Sequence, residues 1–194
     1  MLVGITGNIG AGKSTVSNFL RAMGYHVFNA DFIAKRLLLK GFPAYNKVVE
    51  AFGKGVLRED GEIDTKKLGE IVFSSREKLN LLTSITHPLV LREIGAIREL
   101  YKEDLAFLEA AVLFEYRWEK HFDKIVTVFA YRGQRLLRAA KRFGLKEAIR
   151  RDKFQLPYSE KLRKTDYLIC NTKDMLHLRL QVEELVKALE ETCG

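Results

Sequence analysis

Near the amino terminus, Gly7-Asn8-Ile9-Gly10-Ala11-Gly12-Lys13-Ser14 follows the pattern G-x-x-x-x-G-K-[ST]. Glycine lets a backbone approach an anion closely and turn sharply, so that main-chain N–H groups can surround phosphate oxygens. Lys13 would neutralise β- and γ-phosphate charge, and the Ser14 hydroxyl would ligate Mg²⁺. The chemistry implied is that of ATP or GTP with Mg²⁺; the competing reading is a glycine-rich turn with an incidental lysine. Local context favours the first. Leu2–Thr6 reads as a short apolar strand, while Val16, Phe19, Leu20 and Met23 fall on one helical face that Gly24 ends. A strand, this loop and a helix in that order aim the positive helix end at the anion.

Three further groups have types and positions suited to phosphoryl transfer. Asp31 follows a second strand candidate, Tyr25–Asn29, at the kind of strand end where open α/β sheets gather ligand groups. It is a candidate general base or, equally, an N-cap for a helix starting at Phe32. Glu115 follows the apolar Val112-Leu113-Phe114 and either holds a metal-bound water or starts another helix, the latter being slightly favoured. On a helix over Arg132–Phe143, Arg132, Arg135, Arg138 and Arg142 share an arc of about 120°, with Leu136, Leu137, Ala140 and Phe143 opposite. Guanidinium forks clamp transferring phosphoryl oxygens, so this face reads as a lid; a solvated basic face or a nucleic-acid stripe is the alternative. His26, His87, His121 and His177 lack metal-ligand partners at helical spacing and read as surface or core residues.

The elements that must position these groups alternate between strand and helix. Further strands are predicted at Leu105–Phe114, broken only by Glu109, at Lys124–Phe129 and at Tyr167–Cys170. Between Asp31 and Asp104 the pattern is helical, punctuated by Gly41, Gly53, Gly55, Asp60-Gly61 and Pro88. Basic helices at Arg132–Phe143 and Lys146–Gln155 follow, and a last helix runs from about Asp174 to Glu191. The expected class is α/β, a parallel five-stranded sheet wrapped by helices with two helical insertions. Residues 1–31, 105–131 and 165–194 would form the nucleotide-binding core. Residues 32–104 would be a helical acceptor-binding insertion, and 132–164 a basic helical lid.

Composition narrows the class further. The 194 residues are 47% hydrophobic and 30% charged, enough apolar material for a core and against disorder. No apolar stretch approaches the roughly 18 residues of a membrane span, and no signal-like leader is visible, so a cytoplasmic protein without a membrane partner is expected. Cys170 and Cys193 make no disulfide framework or metal spacing. The net charge of +8 is local: Arg132–Lys164 holds 12 Lys and Arg against 3 Asp and Glu, so the rest of the chain is −1. That concentrates the charge in the segment read as a lid or, alternatively, as a nucleic-acid stripe. No aspartate is followed three residues later by glycine, and Asn46-Lys47-Val48-Val49 lacks the aspartate of a guanine reader, so a GTP switch is disfavoured. A small-molecule kinase suits the length.

The ordered series of motifs resembles the dephospho-coenzyme A kinase family over nearly the whole chain. It runs from Gly4-Ile5-Thr6-Gly7 and the phosphate loop through Asn29-Ala30-Asp31, Phe52-Gly53, Asp60-Gly61 and Val72-Phe73. It continues through Ile85-Thr86-His87-Pro88, Leu113-Phe114-Glu115, Arg138 with Arg142, Gln155, Thr165-Asp166-Tyr167 and Asn171. The resemblance implies a P-loop kinase fold and ATP-dependent phosphorylation of the ribose 3′-hydroxyl of dephospho-CoA, the last step of coenzyme A synthesis. It implies that Gly10, Ala11, Gly12, Lys13, Ser14 and Thr15, with Asn8, bind ATP, that Asn171 lies near the adenine, and that Ser14 ligates Mg²⁺. It further implies that Asp31 activates the hydroxyl, that Arg142 and Arg138 reach the transferring phosphoryl group beside Lys13, and that His87 and Glu115 bind the acceptor in or near a CoA-binding insertion. Asn8, Ala11, Asn29 and Ala111 depart from the family pattern. Asn29 replaces an aspartate and leaves only Asp31 of a usual acidic pair. The expected partners are ATP and dephospho-CoA, with no nucleic acid, and the expected state is a monomer or small homo-oligomer. Another nucleoside or small-metabolite kinase, or a nucleic-acid-binding ATPase, is the alternative.

Overall fold

A computed structural model describes residues 1–193; the Cys193 side chain, and with it the reading of that cysteine as unpaired, lies outside the described residues. The chain divides into two compact units, one of Met1–Phe28 with the residues from Leu100 onward, the other of Asn29–Glu99.

The first unit is built on strands β1 (Leu2–Thr6), β2 (His26–Asn29), β3 (Ala106–Glu109), β4 (Lys124–Phe129) and β5 (Tyr167–Cys170), in the sheet order β2-β3-β1-β4-β5. Pairing is parallel, with Leu2 opposite Ala106, Val3 opposite Lys124 and Val126 opposite Tyr167. β1 and β3 are buried at every residue, the near-continuous apolar pattern of strands covered on both faces. Helices α1 (Lys13–Ala22) and α9 (Met175–Cys193) close one core, in which Val16, Leu20, Leu178, Val182 and Leu189 meet Val3, Ile5, Phe107 and Val128. After β1 the chain leaves for β2, with β3 and β4 filling either side of β1. This reversal opens a crevice at the carboxyl end of β1, where the glycine loop sits.

β3 is shorter than the apolar run Leu105–Phe114 predicts. Its ladder stops because β1 ends at Thr6 and turns into the glycine loop, the Ala110 N–H donating to the Ile5 carbonyl as the last link. Ala111 to Arg117 then turn back, and Leu113 and Phe122 fill the space over Gly4, where any Cβ would lie 2.7 Å from Leu113 Cδ1. That turn ends on Arg117 at φ 56°, its following N–H (Trp118) donating to the Leu113 carbonyl. A left-handed position closing a helical turn suits glycine, and an L side chain there costs about 1 kcal/mol. Arg117→Gly is therefore expected to raise unfolding free energy by about 1 kcal/mol, read as a higher denaturation midpoint in urea.

The second unit contains α2 (Ala30–Leu37), α3 (Tyr45–Phe52), α4 (Thr65–Phe73) and α5 (Arg76–Leu100), the helical pattern expected of this region. Asp64 caps α4 through the Lys66 and Lys67 N–H groups, and an isolated bridge joins Leu57 to Ile63 across the Asp60-Gly61 turn. Pro88 does not punctuate but lies inside α5. It forfeits one backbone bond, and the buried Thr86, Val90 and Ile94 on the same helix hold the segment despite that loss. No described helix is long and apolar enough to cross a membrane.

The basic segment forms α6 (Arg132–Phe143), α7 (Leu145–Lys153) and the single turn α8 (Tyr158–Lys161), with Gly144 at φ 78° joining α6 to α7.

Candidate active site

The glycine loop is held open by glycines that nothing else could replace. Gly10 and Gly12 sit at φ 73° and 103°, and a Cβ on either would run into the Arg135 carbonyl of α6 or the Asn171 amide, respectively. α1 starts directly behind the loop, with Gly12 at its N-cap and no described side chain capping it. The first-turn N–H groups of a helix have no intrahelical partner, so this end presents donors to an anion. Lys13, only 8% exposed, folds back along the loop, its Nζ donating to the carbonyls of Gly7 at 2.8 Å and Asn8 at 3.3 Å. Asn8 is committed to protein partners: its N–H to the Tyr158 hydroxyl, its Nδ2 to the Leu156 carbonyl, and its carbonyl to the Ala11 N–H.

Ser14 meets a residue that sequence reasoning missed. Its Oγ donates to Glu109 Oε1 at 3.1 Å, while Ser17 Oγ donates to Oε2 at 3.0 Å. Glu109 ends β3 and is 7% exposed. The signal for it is the one charge inside a buried-type apolar run, Leu105–Phe114. A buried carboxylate and a hydroxyl at the mouth of a phosphate loop are hard oxygen donors, the set that fits Mg²⁺. Among the described residues no three His, Cys, Asp or Glu cluster as a metal cage.

The arginine helix differs from its amphipathic reading. Leu137, assigned to the core face, is 69% exposed, while Arg135, assigned to the open face, is 4% exposed. The cause is an ion pair: Arg135 Nη1 lies 2.7 Å from Asp152 Oδ1 on α7 and also donates to the Ile9 carbonyl. Arg132 joins Asp152 at 3.1 Å. Burial would raise the Asp152 carboxyl, but these two guanidiniums outweigh it and hold it below its ordinary value. Arg138 donates to the Asn171 carbonyl, and Asn171 Nδ2 donates to the Ala11 carbonyl, tying α6 and the loop after β5 to the phosphate loop. Arg142 is exposed at the end of α6, with its guanidinium 5.0 Å from the Phe143 ring. Asn171, Arg138, Lys13 and Ser14 thus belong to one connected region of the first unit.

Asp31 and His87 belong to the second unit. Asp31 lies in the first turn of α2, which begins two residues earlier than Phe32, so the cap is Asn29, whose Oδ1 accepts the Phe32 N–H at 3.0 Å. The Asp31 carboxylate is exposed and makes no hydrogen bond or ion pair among the described residues. His87 is pushed down to about 4 by burial, so its imidazole is neutral at pH 7. Glu115 starts no helix. It sits in the turn after β3, where Oε1 pairs with the fully buried Lys161 at 2.7 Å and accepts the Leu156 N–H at 2.9 Å.

A family model described as dephospho-CoA kinase matches residues 1–176. A dephospho-CoA kinase of Carboxydothermus hydrogenoformans is 42% identical over 186 residues, covering 93% of this chain and 90% of that protein. A crystal structure from Thermus thermophilus superposes with TM-score 0.82 at 32% identity, over 97% of this chain and 96% of its own. The dephospho-CoA kinase from Campylobacter jejuni gives TM-score 0.74 at 28% identity, over 100% and 98% of the two chains. With the phosphate loop and its sheet placed as described, the chain belongs to the dephospho-CoA kinase family, and it uses ATP to phosphorylate dephospho-CoA in coenzyme A synthesis.

Proposed function

We propose that the loop from Gly10 to Thr15 holds the ATP phosphates and that Asp31 takes the proton of the ribose 3′-hydroxyl it activates. The observation that carries the first half is the convergence of Lys13, Ser14 and buried Glu109 on the open N-terminus of α1. Lys13 would exchange its loop carbonyls for phosphate oxygens. Ser14 would hold Mg²⁺ directly and Glu109 would orient its shell; the ion, when bound, offsets charge on the β- and γ-phosphates. Asn171, beside the loop, is the residue nearest to hand for the adenine, and neutral His87 would contact the acceptor by hydrogen bonding rather than charge. Exposed Arg142, with Arg138, would reach the transferring phosphoryl group from the lid. The basic segment fits this work better than a nucleic-acid stripe, because Arg132 and Arg135 are already paired with Asp152. A cytoplasmic enzyme, monomeric or a small homo-oligomer, is the accompanying reading.

Glu109→Gln tests the metal half. The Mg²⁺ concentration giving half-maximal turnover is expected to rise about 10- to 100-fold, with the KM for dephospho-CoA unchanged. An unaltered Mg²⁺ titration would remove Glu109 from the site.

A further inference from the structure

We propose that Gln155 and Tyr158, on the strap that follows α7 within the lid segment, are positioning residues that set the phosphate loop for ATP. The first half of that loop makes its contacts to this strap and to the lid helices. Ile9 N–H donates to Gln155 Oε1 at 2.6 Å, and Asn8 N–H donates to the Tyr158 hydroxyl at 3.3 Å. The Asn8 side chain reaches the Leu156 carbonyl, and the Ile9 carbonyl accepts from Arg135. The Ile9 side chain packs into the apolar cluster of Leu136, Ala139 and Ala148 between α6 and α7.

The strap is itself fixed at its far side. Gln155 Nε2 donates to the Ala111 carbonyl, the Leu156 N–H to Glu115, and the Tyr158 hydroxyl to the Val128 carbonyl at 2.9 Å. The Tyr158 ring stands edge-on to Phe129, with ring centroids 4.8 Å apart. Two backbone donors at the loop entrance are therefore consumed by the protein. Their positions fix the chain direction into Gly10, two residues before the N-cap of α1. Loss of either grip lets Asn8 and Ile9 rotate their N–H groups toward water, and the Asn8 carbonyl that holds the Ala11 N–H and Lys13 Nζ loses its placement. Preorganised donors are effective because they need not reorient when the anion arrives. The strap thus contributes to ATP affinity without touching ATP.

This inference rests on the reading of the loop as the ATP phosphate site, and the experiment separates the two. Tyr158→Phe removes one oxygen and keeps the ring; Gln155→Met keeps length and removes both polar atoms. The net worth of a single hydrogen bond corresponds to a rise of about three- to tenfold in the KM for ATP for each variant, with the KM for dephospho-CoA within about twofold of wild type. A selective rise in either variant supports the strap, so a failure of Gln155→Met to fold leaves Tyr158→Phe to decide. An unchanged KM for ATP, or equal rises for both substrates with a falling Tm, overturns it, since a merely structural role would loosen both sites. Lys13→Ala is the control: wild-type turnover in that variant defeats the loop reading itself, whereas silent strap variants beside an inactive Lys13→Ala defeat the strap alone.

Discussion

Asp31→Asn is expected to lower kcat by about 10²- to 10⁴-fold while the KM for ATP stays within about twofold of wild type. The substitution keeps the side-chain shape and removes only the basicity. Helix formation is insulated from it, because Asn29 and not Asp31 caps α2. The helix loses at most the favourable charge at its first turn, about 0.3–1 kcal/mol. A large loss of kcat with a melting temperature lowered by no more than about 4 °C would therefore report on proton transfer. The exposed carboxylate engages none of the described residues, so it remains available to an incoming hydroxyl. Steady-state kinetics with dephospho-CoA, together with a thermal melt, decide the matter: turnover at the wild-type rate would end the assignment of Asp31 as the base.

The fate of Asn29 and Asp31 shows how the sequence was legible and where it was not. Period and punctuation located the strands, α1 and α6, because apolar spacing and glycine act locally. The phosphate loop was readable for the same reason: its glycines satisfy a backbone requirement that any sequence folding into that turn must meet. Which of Asn29 and Asp31 caps the helix and which stays free depends on a shift of two residues in the start of α2, finer than propensity resolves. Glu109 was hidden differently. Its partners Ser14 and Ser17 lie more than 90 residues away, and only the pairing of β1 with β3 brings them together. Arg135 departs from its amphipathic position because periodicity ranks residues by hydrophobicity, whereas burial there is set by Asp152, a charge on the next helix.

The pair formed by Lys161 and Glu115 is the extreme case of such tertiary override, and it supports the second large prediction. Lys161 counts as one more charge in a basic segment, yet it is fully buried, with its Nζ 2.7 Å from Glu115 Oε1. Burial pushes the Lys161 ammonium below its ordinary value, and the Glu115 charge opposes that shift. Lys161→Met fills a similar volume but leaves Glu115 buried without its cation, a change that costs about 3–5 kcal/mol in proteins. At about 2–4 °C per kcal/mol for a chain of this size, the melting temperature should fall by about 6–20 °C. Replacing both partners, in Lys161→Met with Glu115→Leu, should recover part of that loss, because neither charge is then stranded. It should not recover ATP affinity fully, since the Leu156 N–H loses its acceptor and the strap beneath the phosphate loop loses an anchor. A single variant melting within about 2 °C of wild type would show that water or a rearranged side chain satisfies Glu115, and that the pair is not what fixes the strap.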